Sequence, residues 1–262
     1  KLALILNAID PSIGGVLLSG PKGTGKSLTV RAFAEILPEV EAVENCTFNC
    51  NPEDPTNLCD SCRSGFLEDV SLPKIKRRMR VVQIPIGATE DRVIGTMDVE
   101  KAMREGLKAL QPGLLAEANQ NILYIDEVNL LPDHLVDSIL DSASSGWNFV
   151  EREGISVSHP SRFILVGTMN PEEGSLRPQI ADRFGMKAQA ENLLNPEERM
   201  EIIKRNEDFA KDPLAFCEKY KQQQEELRKK VEAARNLLPQ VNIPEKILES
   251  IAKVCTSLEV DG

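Results

Sequence analysis

The feature that most constrains this chain is an eight-residue stretch, Gly20–Ser27, with the sequence GPKGTGKS. It follows the short apolar run Val16–Leu18 and precedes Leu28–Leu37, whose apolar residues have helical spacing. Strand, glycine-rich loop and helix in this order form a P-loop, whose backbone N–H groups point at the phosphates of a nucleotide. The first turn of the helix adds a partial positive charge at the same place.

The residues of this loop have separate tasks. Its glycines let the backbone approach a phosphate chain, Lys26 reaches the β- and γ-phosphates, and Ser27 offers a hydroxyl to Mg²⁺. A chance glycine-rich turn would match this pattern in roughly one chain in a hundred of this size. The sequence therefore predicts a nucleotide site made of Gly20, Pro21, Lys22, Gly23, Thr24, Gly25, Lys26 and Ser27.

Two acids, Asp126 and Glu127, follow the apolar run Asn121–Ile125. A nucleotide-hydrolysing enzyme needs acids at such a strand end, since one carboxylate holds Mg²⁺ opposite Ser27. The neighbouring Glu127 can then orient or deprotonate the water that attacks the γ-phosphate. A strand that simply ends in solvated acids is the alternative, and the P-loop upstream makes the catalytic interpretation the better one.

Polar residues near the next apolar run complete the predicted site. Asn170 follows Phe163–Gly167, where it can sense the γ-phosphate, although an Asn before Pro is also a common turn residue. Arg177 and Arg183 follow it. Arg183 is either part of a structural ion pair or an arginine finger that reaches the nucleotide of a neighbouring subunit.

The order of the elements predicts an α/β fold with a mostly parallel sheet and its ligand at the carboxyl ends of the strands. A nucleotide-binding domain is expected over 1–191 and a helical domain over 192–262. Strands are expected at 81–86, 121–125, 163–167 and 187–190, and a hairpin, within about 147–160, that turns near 153–154. Helices are expected at 2–10, 98–119 with an interruption at 111–113, 133–144, 197–206, 213–238 and 244–258.

Four cysteines lie in a polar insertion at about 44–73, with the spacing C-x₃-C-x₈-C-x₂-C. They are Cys46, Cys50, Cys59 and Cys62, here called the four-cysteine cluster. Zn²⁺ held by four thiolates is favoured over an iron–sulfur cluster, and chance or redox-active thiols remain open. Cys217 and Cys255 have helical surroundings and are expected in the core.

Composition excludes some classes of function. The chain has 31 Lys and Arg against 41 Asp and Glu, a net charge of −10, so neither nucleic acid nor a membrane surface is expected as a partner. No run approaches the ~20 apolar residues that span a bilayer. We expect a cytoplasmic protein, or a stromal one in a plastid. His134 and His159 are given no catalytic role, and Trp147 is expected to pack.

Several strings together resemble the AAA+ ATPases and, more narrowly, the I-subunit family of magnesium chelatases. Besides the P-loop, they are Tyr124–Leu131, Asn170–Gly174, Arg183–Gly185, Gly87–Val93, Gln111–Ala116, Ser145–Asn148, Val150–Ser156 and Leu258–Gly262. The resemblance implies a five-stranded, mostly parallel sheet flanked by helices, then a small helical lid. It also implies insertions around 95–115 and 147–160.

The same resemblance implies a ring of subunits, typically a hexamer, that hydrolyses ATP with Mg²⁺ as cofactor. Such rings work with a D subunit and a large catalytic H subunit that inserts Mg²⁺ into protoporphyrin IX. Lys26 and Ser27 would take the Walker A role and Asp126 and Glu127 the Walker B role. Asn170 would be sensor 1, and Arg183 the finger supplied in trans.

Three departures from the family leave alternatives open. The family continues into the rest of its lid with a sensor-2 arginine, so ATP turnover by residues 1–262 is expected to be impaired. Thr168 and Met169 replace a Ser-Gly pair, and the four-cysteine cluster is atypical. Magnesium chelatase remains the leading interpretation, and the last two departures make a related cobalt or nickel chelatase the alternative. A MoxR-like remodelling ATPase and a metal- or redox-sensing module are further alternatives, while the acidic charge disfavours a helicase-like motor.

Overall fold

The structure, a computed structural model, describes residues 1–68, 71–97, 110–152 and 155–258. Its strands are β1 Val16–Ser19, β2 Val40–Val43, β3 Lys74–Arg77, β4 Val81–Ile84, β5 Gly95–Met97, β6 Leu110–Pro112, β7 Ile122–Ile125, β8 Trp147–Arg152, β9 Ile155–Pro160, β10 Ile164–Met169 and β11 Met186–Gln189. Its helices are α1 Leu2–Ile9, α2 Lys26–Glu35, α3 Asp60–Leu67, α4 Glu90–Ile94, α5 Leu114–Ala118, α6 Asp133–Ser145, α7 Pro178–Ala181, α8 Pro196–Lys211, α9 Pro213–Leu237 and α10 Glu245–Leu258.

The central sheet has five strands in the order β11-β1-β10-β7-β4. Every neighbouring pair in it is parallel, so the predicted sheet is confirmed. The register at the carboxyl ends of the strands matters for the site. There, Ser19 pairs with Met169 and Ile125 pairs with Gly167. The carboxyl ends of β1, β10 and β7 therefore lie side by side at one edge of the sheet.

Both faces of the sheet are covered, as a parallel sheet requires. Strand β7 is buried along its whole length, and its side chains alternate between two separate apolar clusters. Leu123 and Ile125 pack on one face with α6, whereas Ile122 and Tyr124 pack on the other face with α1 and α2. This three-layer arrangement holds the strand ends at fixed positions.

The polar insertion is more ordered than its composition indicates. Strands β2 and β3 flank it and pair antiparallel, and α3 lies within it. None of these three elements was predicted from the sequence. The strands are short and carry charged residues, so the alternation of apolar and polar residues that indicates a strand is weak in them. The predicted helix over 98–119 is only partly testable because 98–109 lie outside the described residues. Of its remainder, 110–112 form β6 and 114–118 form α5.

The hairpin prediction is confirmed by β8 and β9, which pair antiparallel from Trp147↔Pro160 to Arg152↔Ile155. Its turn at 153–154 lies outside the described residues. After β11 the chain is helical through α8, α9 and α10, close to the predicted bounds. A domain division near residue 192 stays a prediction.

The expected burial of two cysteines is wrong. Cys217 on α9 is exposed and Cys255 on α10 is only partly buried. Their helices leave many apolar side chains in solvent, and Val231 is the one residue of α8, α9 and α10 that is buried. Along the described residues, none of the helices combines the length and apolarity needed to cross a membrane.

Candidate nucleotide-binding site

The predicted nucleotide residues meet at the carboxyl edge of the sheet. The P-loop follows β1, Asp126 and Glu127 follow β7, and Asn170 follows β10. Since these three strands are adjacent and parallel, three segments far apart in sequence converge on one edge. That edge is where ligands bind in open α/β sheets.

The loop between β1 and α2 has the backbone of a phosphate cradle. Gly23 and Gly25 have φ of +85° and +76°, and a Cβ added at either would meet no heavy atom within 4 Å. Gly20 is needed for a different reason, because its Cβ would lie 2.1 Å from the carbonyl oxygen of Ala190. The helix begins at Lys26, so the last two residues of the loop form its first turn.

The Lys26 ammonium lies inside this loop. Its Nζ donates to the carbonyl oxygens of Gly20 at 2.6 Å and Pro21 at 2.7 Å, and lies 3.4 Å from Thr24 Oγ1. Phosphate oxygens are stronger partners for an ammonium than neutral carbonyls are. The loop thus holds its positive charge where a phosphate chain would enter.

Asp126 is held by two hydroxyl groups that the sequence analysis did not assign to the site. Tyr124 Oη and Thr168 Oγ1 each donate to Asp126 Oδ1 at 2.7 Å. Tyr124 Oη also lies 3.2 Å from Thr168 Oγ1, and burial is the main cause that raises the pKa of Tyr124. Only their position in the sequence could have indicated this role, since Tyr124 and Thr168 lie near the ends of the two strands that precede the acidic residues and Asn170.

Glu127 has an unusual backbone and an altered acidity. Its φ is +54°, in the left-handed region that residues other than glycine rarely adopt. Partial burial and the carboxylates of Glu173 and Asp126 raise its pKa, and Lys22 opposes them. A carboxylate with a raised pKa is a stronger base than an ordinary glutamate.

Asn170 is buried and serves the turn that follows β10. Its Oδ1 accepts from the backbone N–H of Glu172 at 3.2 Å, so it caps the short 3-10 turn Pro171–Glu173. The turn interpretation and the sensor interpretation are compatible, because Asn170 caps the turn and also lies at the sheet edge that carries Asp126. The sensor role stays a prediction.

The two arginines pair with acids of their own chain. Arg183 contacts Asp137 at 2.9 Å and also Asp141, and Arg177 contacts Asp133 at 2.6 Å. All three acids are on α6. The Arg183 side chain is still 40% exposed, so these pairs leave it accessible to another molecule. The finger role stays a prediction.

The four-cysteine cluster is brought together away from this edge. Its four sulfur atoms lie within 4.8 Å of one another. The loop that carries it is bonded to Asn119, which donates to the carbonyl oxygen of Phe48 at 2.8 Å. Asn119 precedes β7, whereas the nucleotide residues follow that strand, so the cluster lies toward the amino edge of the sheet.

The two histidines and Trp147 differ in burial and in their contacts. His159 is buried, stacks on Phe48 with ring centroids 4.9 Å apart, and has its pKa lowered chiefly by burial. His134 is exposed on α6. Trp147 is partly buried and lies under the Arg63 guanidinium, 5.5 Å from the ring centroid. The predicted packing of Trp147 is confirmed, and the absence of a catalytic role for the two histidines stays a prediction.

Comparison with known proteins decides the family. A family model described as an AAA domain matches residues 13–174. A magnesium-chelatase subunit ChlI of Synechocystis sp. is 53% identical over 100% of this chain and 73% of its own length. This chain belongs to the magnesium-chelatase ChlI family of AAA ATPases.

Two further relatives agree with this assignment. A magnesium-chelatase subunit ChlI homolog of Methanocaldococcus jannaschii is 58% identical over 99% of this chain and 70% of its own length. A chain in a structure of the BchI–BchD complex of magnesium chelatase, based on cryo-electron microscopy, aligns with a TM-score of 0.66. It is 48% identical and covers 93% of this chain and 74% of the other. The AAA+ fold and the ATPase class expected from the sequence are confirmed.

Proposed function

We propose that this chain is the ATP-hydrolysing motor subunit of a magnesium chelatase, which drives Mg²⁺ insertion into protoporphyrin IX. The observation that carries the proposal is the convergence of Lys26, Asp126 and Glu127 at one sheet edge in a member of the ChlI family. The residues fit MgATP. The glycine cradle is open above Gly23 and Gly25, and an ammonium already lies within it.

Each residue has one task in this scheme. Lys26 and the loop N–H groups would hold the phosphates, while Ser27 and Asp126 would hold Mg²⁺. Tyr124 and Thr168 both bond Oδ1 of Asp126, which fixes the carboxylate, and its second oxygen would be the ligand for the metal. Glu127 takes the proton of the attacking water, and Asn170 orients that water. ATP supplies the phosphoanhydride bond whose hydrolysis releases the energy.

The proposal includes an assembly. The chain would form a homo-oligomeric ring, a hexamer, in which Arg183 completes the nucleotide site of the next subunit. A D subunit and a large H subunit that carries out metal insertion would be its partners. The solved relative in complex with BchD supports the first of these partners.

The experiment is ATP hydrolysis by the full-length protein and by single variants. We expect Lys26→Ala and Glu127→Gln to lower the rate on the order of 10²-fold or more, with ATP still bound by Glu127→Gln. Lys211→Ala, at the exposed end of α8, is the control and should hydrolyse ATP normally. Hydrolysis that survives Lys26→Ala would contradict the site. Chelation with purified D and H subunits then tests the coupling to metal insertion.

A subunit of a cobalt or nickel chelatase is the second candidate. Thr168 and Met169 before Asn170, together with the four-cysteine cluster, favour it. Supplying Co²⁺ or Ni²⁺ to the reconstituted complex, beside the Mg²⁺ that ATP hydrolysis needs, and identifying the metal that is inserted into the tetrapyrrole separates the two.

A further inference from the structure

The geometry of the four-cysteine cluster matches a single tetrahedral metal site. Cys46 Sγ lies 3.5 Å from Cys62 Sγ and 3.9 Å from Cys59 Sγ. Four thiolates around one Zn²⁺, each about 2.3 Å from it, would be about 3.8 Å apart. All four sulfur atoms lie within 4.8 Å of one another, so the cluster needs little change to close on an ion.

The surroundings suit thiolates. Cys50 is fully buried, and its Sγ accepts a hydrogen bond from the backbone N–H of Cys59 at 3.1 Å. Cys59 and Cys62 stand at the start of α3, where the helix dipole favours negative charge. Four thiolates this close would repel one another strongly without a cation between them.

The insertion has a small apolar core of its own. Among the described residues, the buried members of this apolar core are three of the cysteines, Val43 and Leu58. Such a core is too small to hold a loop of this length in one conformation, and a structural metal commonly does so in its place.

We propose that the four-cysteine cluster is a closed, structural Zn²⁺ site. The thiols lose their protons to solvent as the ion binds, and four Zn–S bonds form. With four protein ligands no position is left for water or substrate, so the ion takes no part in catalysis. An iron–sulfur cluster is disfavoured, because its bridging sulfides would hold the cysteine sulfurs farther apart than they are here.

The site ties the insertion to the amino edge of the sheet. Asn119 donates to the carbonyl oxygens of Phe48 and Asn49, and Gln120 donates to Asn49 at 2.8 Å. A four-residue strand, roughly 13 Å long, separates these residues from Asp126. Phe48 also stacks on His159 of β9. The ion would therefore support the base of the β8–β9 hairpin from outside the nucleotide site.

Metal content of the full-length protein, purified anaerobically without added chelator, tests the proposal. We expect one zinc ion per chain, and loss of it in the Cys59→Ser, Cys62→Ser double variant. The Cys217→Ser, Cys255→Ser double variant is the matched control. It should keep its zinc, because these cysteines lie on α9 and α10, outside the insertion.

Metal exchange keeps the test valid if the cluster variant does not fold. Wild-type protein stripped of metal and given Co²⁺ should show the absorption of tetrahedral cobalt–thiolate. The Cys217→Ser, Cys255→Ser control should show the same absorption. Iron with inorganic sulfide in the purified protein would overturn the proposal. So would stripped protein that takes up neither Zn²⁺ nor Co²⁺, or that contains disulfides among the four cysteines after anaerobic purification.

Discussion

At the scale of the residue, the candidate site depends on side chains that hold the reactive ones in place. Asp126 accepts two hydrogen bonds on one oxygen, from Tyr124 and Thr168, and these two hydroxyls lie 3.2 Å apart. The carboxylate assigned to Mg²⁺ is thus held by two buried hydroxyl groups. Preorganised ligands of this kind lower the reorganisation that metal binding would otherwise require.

After burial, Glu173 is the largest cause of the raised pKa of the proposed base, Glu127. Its carboxylate is close enough to Glu127 to raise the pKa of that residue. A base must be ionised to act, so the rate falls as the pH falls through its pKa. Replacing Glu173 with Gln removes a negative neighbour and lowers the pKa of Glu127. We therefore expect Glu173→Gln to move the acid limb of the kcat–pH profile to lower pH.

The adjacent Glu172 provides the control for this measurement. It is exposed, and the contact that it makes at the site is through its backbone N–H, which donates to Asn170 Oδ1. Glu172→Gln should leave the acid limb in place. Equal profiles for Glu173→Gln and wild type would show that the Glu173 carboxylate does not act on the base.

At the scale of the element, the site is made by strand ends and by the fit of the loop against β11. Gly20 follows β1, and its backbone N–H donates to the carbonyl oxygen of Met169 at 3.2 Å. Ala190 follows β11 and donates to Ser19 at 2.7 Å. The P-loop is therefore fixed on both sides before any nucleotide binds.

Gly20→Ala tests this fit. Its methyl group would lie 2.1 Å from the backbone oxygen of Ala190, which can move only if the β11 edge moves. We expect a loss of about 1–3 kcal/mol of stability, seen as a fall of several degrees in Tm. Gly87→Ala is the control, because Gly87 has an ordinary φ and its added Cβ meets nothing within 4 Å. Equal Tm values for the two variants would contradict the close approach.

At the scale of the whole molecule, one nucleotide site is proposed to need two subunits. Arg183 lies on the segment after Asn170 and is paired with Asp137 and Asp141 in its own chain. Exposed pairs of this kind contribute about 0–1 kcal/mol, so Arg183 could exchange them for a phosphate of a neighbour at small cost. The same weakness means that Arg183→Ala should fold normally.

Mixing two inactive variants tests this exchange. Arg183→Ala and Glu127→Gln should each lose most ATPase activity alone. If the finger acts in trans, mixed rings regain activity, because a site with Glu127 from one variant meets Arg183 from the other. Mixtures that stay as inactive as their components, under conditions in which the subunits are shown to exchange, would place Arg183 in its own site or in a structural role.

Much of this protein was predictable from sequence because the patterns are local. The P-loop needs only a strand, three glycines and a helix start, all within Val16–Leu37. The buried strands β7 and β10 are continuous apolar runs, and the acids follow β7 directly. The parallel sheet and the location of the nucleotide residues at its carboxyl edge follow from this order of elements.

The tertiary structure decided what depends on contacts between distant segments. No local pattern shows that Thr168 bonds Asp126, that Glu173 approaches Glu127, or that Gly20 touches Ala190. Nor could spacing alone show that the sulfur atoms of the four-cysteine cluster converge, since that requires β2 and α3 to pack together. Sequence determined which chemical groups the protein carries and the edge on which they gather. Packing between segments determined their distances, and distances set acidity, metal geometry and strain.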